Sequence, residues 1–197
     1  GISAWYNDKL AFGADEMARY LLALELRPED VLIDFGCGNG ELLKLAAPQV
    51  AYAAGVDVSP DQAALARKAV AHLTNAHIIQ APLMDCELPK RVFTRGSARK
   101  SLHHLTDAEK PLFFERISRS FAPGALFLLE DAVFDFPKAE LDAQWPRVLA
   151  EAERFYGSKW AAIKEMFENT LRREYATDSR TWEAALAAGG FEVVRRA

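Results

Sequence analysis

Short apolar runs alternate with amphipathic stretches along most of this chain. Val31-Leu32-Ile33-Asp34-Phe35 places four apolar residues around one acid, the pattern of a strand covered on both faces. Ala51–Asp57 and Ala76–Gln80 read as strands two and three, and Ala125–Asp131 as strand five. Helical spacing fills the intervals. Met17, Tyr20, Leu21 and Leu24 lie at i, i+3, i+4 and i+7 in a helix predicted to end near Arg27-Pro28. Ser59-Pro60-Asp61-Gln62 opens a helix with a serine cap, a proline and a capping-box glutamine, and Leu65, Ala66, Ala69 and Val70 form its apolar side. Thr106 and Glu109 make a second capping box before Phe113, Ile117 and Phe121, and Ala122-Pro123-Gly124 is read as the stop of that helix. Strands alternating with amphipathic helices predict an α/β fold with a doubly wound, mostly parallel sheet.

The alternation breaks between about 137 and 173. Trp145, Val148, Leu149, Ala152, Phe155 and Tyr156 make one helix face, and Ile163, Met166, Phe167, Thr170 and Leu171 a second. This helical insertion sits between strands five and six, the latter read as Phe191-Glu192-Val193-Val194. The expected organisation is a single domain. Residues 1–30 are an N-terminal helical arm carrying Trp5 and Tyr6, and 31–131 a cofactor-binding core. Residues 132–177 form a helical substrate cover, with Phe134, Phe136 and Trp160 adding to its aromatic content, and 178–197 supply the last helix and strand.

Strand one runs into Gly36-Cys37-Gly38-Asn39-Gly40, where missing side chains let the backbone turn sharply and a ligand approach the main chain. A helix follows, so N–H groups and a positive helix end are expected to face a ligand. Residues 33–40 resemble the first motif of the class I S-adenosylmethionine-dependent methyltransferases. The rival is the dinucleotide pattern G-x-G-x-x-G, which asks for glycine where this chain has Glu41, a carboxylate that would face a pyrophosphate. Ser101-Leu102-His103-His104-Leu105 resembles the segment after strand four in small-molecule members of the family, and its His103 lies 46 positions after Asp57.

The resemblance implies a Rossmann-like sheet binding S-adenosylmethionine at its carboxyl edge. Asp57, 21 positions after Gly36, would accept hydrogen bonds from the ribose diol, with Val58 on the adenine. Gly36, Cys37, Gly38 and Gly40 would lie against the amino-acid half, and Asp34 would orient the turn or reach the ammonium through water. Adenine would be held by main chain near Leu83, by Met84, or by Asp85 if the loop is displaced, because Pro82 stands where the family has an acid. His103 is the candidate general base, and His104 is read as a packing residue.

Strand four departs further. The family has an apolar run there, and this chain has Thr94-Arg95-Gly96-Ser97-Ala98-Arg99-Lys100. Burying such charges unpaired is prohibitive. The segment is therefore expected to be a short strand emerging at the cofactor mouth, or irregular. Arg95, Arg99 and Lys100, with Lys90 and Arg91, are candidates for holding an acidic substrate group.

Composition narrows the partners. The 197 residues carry 24 Lys and Arg against 28 Asp and Glu, a balance that argues against a nucleic-acid partner. No apolar run nears the roughly 18 residues of a membrane span, and no signal-peptide pattern opens the chain. Two cysteines, Cys37 and Cys86, give no disulfide framework, so the expected compartment is cytoplasmic. No metal cluster is evident, since His72 and His77 fall on different elements. The function expected is methyl transfer from S-adenosylmethionine to a small-molecule acceptor by in-line displacement, and a homodimer is compatible with it. The alternatives are a non-catalytic or degenerate cofactor-binding module, a macromolecule-modifying methyltransferase and, weakest, a nicotinamide-dependent oxidoreductase.

Overall fold

The alternating pattern folds as the α/β reading expects. A computed structural model describes residues 14–196; Trp5 and Tyr6 lie outside the described residues. In chain order the elements are α1 (Ala14–Ala23), β1 (Val31–Phe35), α2 (Glu41–Ala46), β2 (Tyr52–Asp57), α3 (Pro60–Val70), β3 (Ala76–Gln80), β4 (Phe93–Arg99), α4 (Glu109–Ser118), β5 (Phe121–Glu130), β6 (Val133–Phe134), α5 (Leu141–Tyr156), α6 (Trp160–Arg172), β7 (Thr177–Asp178) and α7 (Ser179–Ala188). Among the described residues, no helix is long and apolar enough to cross a membrane.

Two units divide the chain. The first takes the residues up to Leu102 together with Glu115–Glu130, and the second takes His103–Phe114 with the residues from Asp131 on. In the first, five parallel strands stand in the order β3-β2-β1-β4-β5. The order reverses between β1 and β4, and open sheets of this kind bind ligands at the carboxyl ends beside such a reversal. Leu32, Leu43, Ala53, Ala63, Ala66, Val70 and Ile78 form one core cluster, and Met17, Tyr20, Leu24 and Leu42 another. Leu65, expected on the apolar side of α3, is largely exposed; Ala63 takes its place, because the helix turns its small residues toward the sheet.

Strand four corrects the sequence reading. Phe93–Arg99 is not a short stretch at the cofactor mouth; it is a central strand paired with β1 on one side and β5 on the other. Its charges are compensated inside the unit. The buried Arg95 donates from Nε to the Leu24 carbonyl at 2.9 Å and from Nη2 to the Glu25 carbonyl at 3.0 Å, and Nη1 pairs with Asp30 at 3.3 Å. Arg99 bridges Glu16 at 2.7 Å and Glu130 at 2.8 Å. Both guanidiniums are thus engaged by the protein's own oxygens, which removes them as an anion site.

Ala122-Pro123-Gly124 also has a different role. The helix ends at Ser118, and these residues lie within β5, where the ladder jumps from Phe93–Phe121 to Arg95–Leu126. Proline fits a strand at such an irregularity, where no ladder donor is needed.

In the second unit, β6 and β7 form a two-residue parallel ladder on either side of α5 and α6 in sequence. Ala152, Trp160 and Ile163 pack with Leu149, Tyr156, Met166 and Phe167. Phe155 is 82 % exposed and leaves the predicted apolar face, since Tyr156 supplies the ring that stacks on Trp160. Phe191-Glu192-Val193-Val194 forms no strand. Phe191 packs edge-on against Phe114, 5.7 Å between ring centres, and Val194 is exposed.

Candidate functional site

The glycine turn is held by the strand next door. Gly36 and Cys37 donate their N–H groups to the Val56 carbonyl at 2.7 and 3.0 Å, and Gly40 donates to the Cys37 carbonyl at 2.9 Å. Gly38 donates to Asp57 Oδ2 at 2.8 Å, while Asp57 Oδ1 accepts from Ser59 N at 2.9 Å. The expectation that the turn aims its N–H groups outward is therefore corrected for these four residues. A turn whose donors point inward is a poor cradle for a phosphate and a suitable one for a cation.

Two glycines are required by geometry. Gly36 has φ of 74°, and a Cβ there would lie 2.2 Å from Ser101 Cβ. Ser101 in turn donates to the Phe35 carbonyl at 2.7 Å, which ties the end of β4 to the turn after β1. Gly38 has φ of 53°, and no atom lies within 4 Å of where its Cβ would stand. The chain is bare on that side, and β2 ends on the half-buried Asp57, followed by the 60 % exposed Val58.

Asp34 is buried near the end of β1. Burial pushes its carboxyl up to about 7; nearby Asp57 adds to this, while a hydrogen bond from Ser97 and the charge of Arg99 oppose it. Ser97 also bonds Tyr20 Oη at 2.9 Å. Because the folded-state pKa lies above the ordinary 3.8, folding favours the protonated carboxyl. That contribution is complete below about pH 4 and is lost as the pH rises through about 7. The whole loss is on the order of 4 kcal/mol. Urea melts at about pH 5 and pH 8 should show this decline in the ligand-free protein, and Asp34→Asn should flatten it.

The other predicted cofactor residues divide by what they can offer. Cys37 sends its side chain into the core, where burial pushes its thiol well above the usual range, so it offers main chain alone. Leu83 is half-buried in the turn after β3, which Ala81 N anchors to the Asp57 carbonyl at 3.1 Å. Glycine turn, Asp34, Asp57, Val58 and Leu83 all belong to the first unit.

His103 belongs to the second unit. Its Nδ1 lies 2.5 Å from Asp131 Oδ1, and its backbone N donates to Asp131 Oδ2 at 3.1 Å. The Asp131 side chain is fully buried and also accepts from Ala132 N at 2.7 Å. An acceptor-only carboxylate at Nδ1 holds the proton there and leaves Nε2 as the basic nitrogen. Glu174 Oε2 stands 3.2 Å from that nitrogen. Sequence reasoning singled out neither carboxylate in a functional role: Asp131 read as the end of a strand, and Glu174 carries no local signal.

A family model described as a methyltransferase domain matches residues 9–196. The chain belongs to the class I S-adenosylmethionine-dependent methyltransferases. An uncharacterised methyltransferase of Anoxybacillus flavithermus is 26 % identical over 196 residues, covering 94 % of this chain and 84 % of that protein. The 27-O-demethylrifamycin SV methyltransferase of Amycolatopsis mediterranei is 30 % identical over 129 residues, covering 64 % of this chain and 47 % of that enzyme. A solved cyclopropane synthase from Mycobacterium tuberculosis superposes with a TM-score of 0.68 at 19 % identity, covering 98 % of this chain and 67 % of that structure. This methyltransferase thus spans less than half of the rifamycin enzyme, and the family match runs through both of its units.

Proposed function

We propose that this methyltransferase moves the methyl group of S-adenosylmethionine to a small-molecule acceptor, the glycine turn and Asp57 holding the nucleoside. The observation that carries the reading is the inward bonding of the turn, with Gly38 N on Asp57. Each carboxylate oxygen of Asp57 accepts one main-chain bond and keeps a lone pair for a ribose hydroxyl. Val58 offers an apolar surface to adenine, and Leu83 its main chain. The bare face at Gly38 admits the amino-acid half, with Gly36 and Gly40 letting the turn pack closely on Ser101 and Ala66, and main chain is all that Cys37 contributes. Asp34, its carboxyl pushed up to about 7 by burial, ionises more readily once an ammonium comes near, so cofactor binding strengthens as the pH rises toward about 7.

The bound cofactor supplies an electrophilic methyl on a positively charged sulfur, so the protein's task is alignment and exclusion of water. His103, its Nε2 left basic by Asp131, prepares the acceptor for attack. The rings of Tyr156, Trp160 and Phe167 give the helical insertion an apolar aromatic surface suited to a flat acceptor. The rifamycin relative acts on a small molecule, which favours the same class here, as does the acidic charge balance. Incubating the chain with methyl-labelled S-adenosylmethionine and parallel sets of phenolic small molecules, RNA and protein tests the reading. Label is expected in the small molecules; label confined to RNA or protein would overturn the acceptor class.

A further inference from the structure

The surroundings of His103 carry a further assignment. His103, His104 and Glu174 each offer one ligand atom, and these atoms lie within 4.8 Å of one another. The two imidazoles are adjacent in sequence and in contact, with ring centres 4.4 Å apart, and Glu174 comes from the turn after α6. Asp131 occupies Nδ1 of His103, which leaves the free lone pair on Nε2, 3.2 Å from Glu174 Oε2.

Glu174 Oε2 answers with lone pairs of its own. That oxygen is buried and takes no hydrogen bond, although Nε2 is only 3.2 Å away, because with the ring proton on Nδ1 neither atom carries a hydrogen. Two acceptors shielded from water at this distance are costly without a cation to share. In a tetrahedral site with bonds of about 2.0–2.2 Å, neighbouring ligand atoms stand roughly 3.3–3.5 Å apart, close to the 3.2 Å between His103 Nε2 and Glu174 Oε2. Asp131 behind His103 completes the carboxylate–histidine–metal arrangement that fixes a ligand's orientation.

We propose that His103 Nε2, His104 and Glu174 bind a divalent transition ion of the zinc class, with Asp131 as the supporting carboxylate and a fourth position open to the acceptor. Two imidazoles and one carboxylate suit a borderline ion better than magnesium or calcium, which prefer all-oxygen shells. The ion's role rests on the methyl-transfer reading: with Nε2 taken up as a ligand, the ion would replace the imidazole in activating the acceptor, supplying Lewis acidity to its oxygen or nitrogen. Its binding does not depend on that reading. Glu174 and Asp131 lie 71 and 28 positions from His103, which is why spacing alone predicts no metal cluster.

Cobalt(II) is the probe, added to the full chain after chelation. One equivalent should bind and develop the visible absorption of a four-coordinate site. Glu174→Gln and His104→Ala should each weaken binding at least as much as Asp131→Asn, for which about 10–100-fold is expected from loss of a supporting carboxylate. His72→Ala, which changes an exposed imidazole on another element, should leave binding unchanged. Folded chain that takes up no cobalt, or uptake that survives Glu174→Gln and falls with His72→Ala, would overturn the site. Should a variant fail to fold, X-ray absorption of the cobalt-loaded native chain decides: imidazole scattering supports the assignment and its absence refutes it. Calorimetry with S-adenosylmethionine, run separately, distinguishes the failures. Cobalt bound without the nucleoside counts against the methyl-transfer reading, and the nucleoside bound without cobalt counts against the metal site.

Discussion

Replacing Arg95 with alanine should lower unfolding free energy by about 3–5 kcal/mol, the usual cost of removing one member of a buried ion pair. That is a large fraction of the roughly 5–15 kcal/mol that holds a domain together. The loss has several parts. Asp30 keeps the Thr94 hydroxyl at 2.7 Å and the Arg27 N–H at 2.7 Å, but loses its cation. The Leu24 and Glu25 carbonyls lose their guanidinium donors at the end of the N-terminal segment that packs on the sheet. Arg95→Lys should recover only part of the stability, since one ammonium cannot serve the acceptors that the planar fork reaches. Urea melts check this: a midpoint shift with little change in slope is expected, and a loss below about 1 kcal/mol for Arg95→Ala would mean that the pairing is not what supports β4.

The second large effect belongs to Asp57. Two ribose hydroxyls bonded to one carboxylate contribute about 1.5–3 kcal/mol each. Asp57→Ala should therefore weaken S-adenosylmethionine binding by roughly 10²–10⁴-fold. The same change frees the N–H groups of Gly38 and Ser59, so some stability is lost as well. Asp57→Asn separates the two effects. An amide oxygen still accepts one main-chain bond while the charge is gone, so Asp57→Asn should keep most of the stability and lose much of the affinity. Calorimetry beside thermal melts reads both; equal affinity in native protein and Asp57→Ala would remove the ribose role.

These two positions also mark how far the sequence could be read. β1, the glycine turn, β2 and Asp57 are contiguous, and their signals are local: an apolar run, alternating glycines and a serine cap. Gln62 N does bond Ser59 Oγ, at 3.3 Å, and the Thr106–Glu109 box closes in both directions. β4 was illegible because the partners that make a buried arginine tolerable are about 65 to 71 positions away. Residues 191–194 failed in the opposite way, for Phe191-Glu192-Val193-Val194 has strand-forming residues but pairs with no neighbouring strand. The site divides similarly. His103 stood out through the segment that follows β4, whereas Asp131 and Glu174 acquire meaning only when folding brings them to its two ring nitrogens.

The central claim is that the turn after β1 and the carboxylate that ends β2 hold a sulfonium nucleoside. The direct measurement is calorimetric titration of the native chain with S-adenosylmethionine and, in parallel, with NAD. One S-adenosylmethionine per chain, bound more tightly at about pH 8 than at about pH 6 as Asp34 ionises, is the expected result. Heat with NAD and none with S-adenosylmethionine would contradict it.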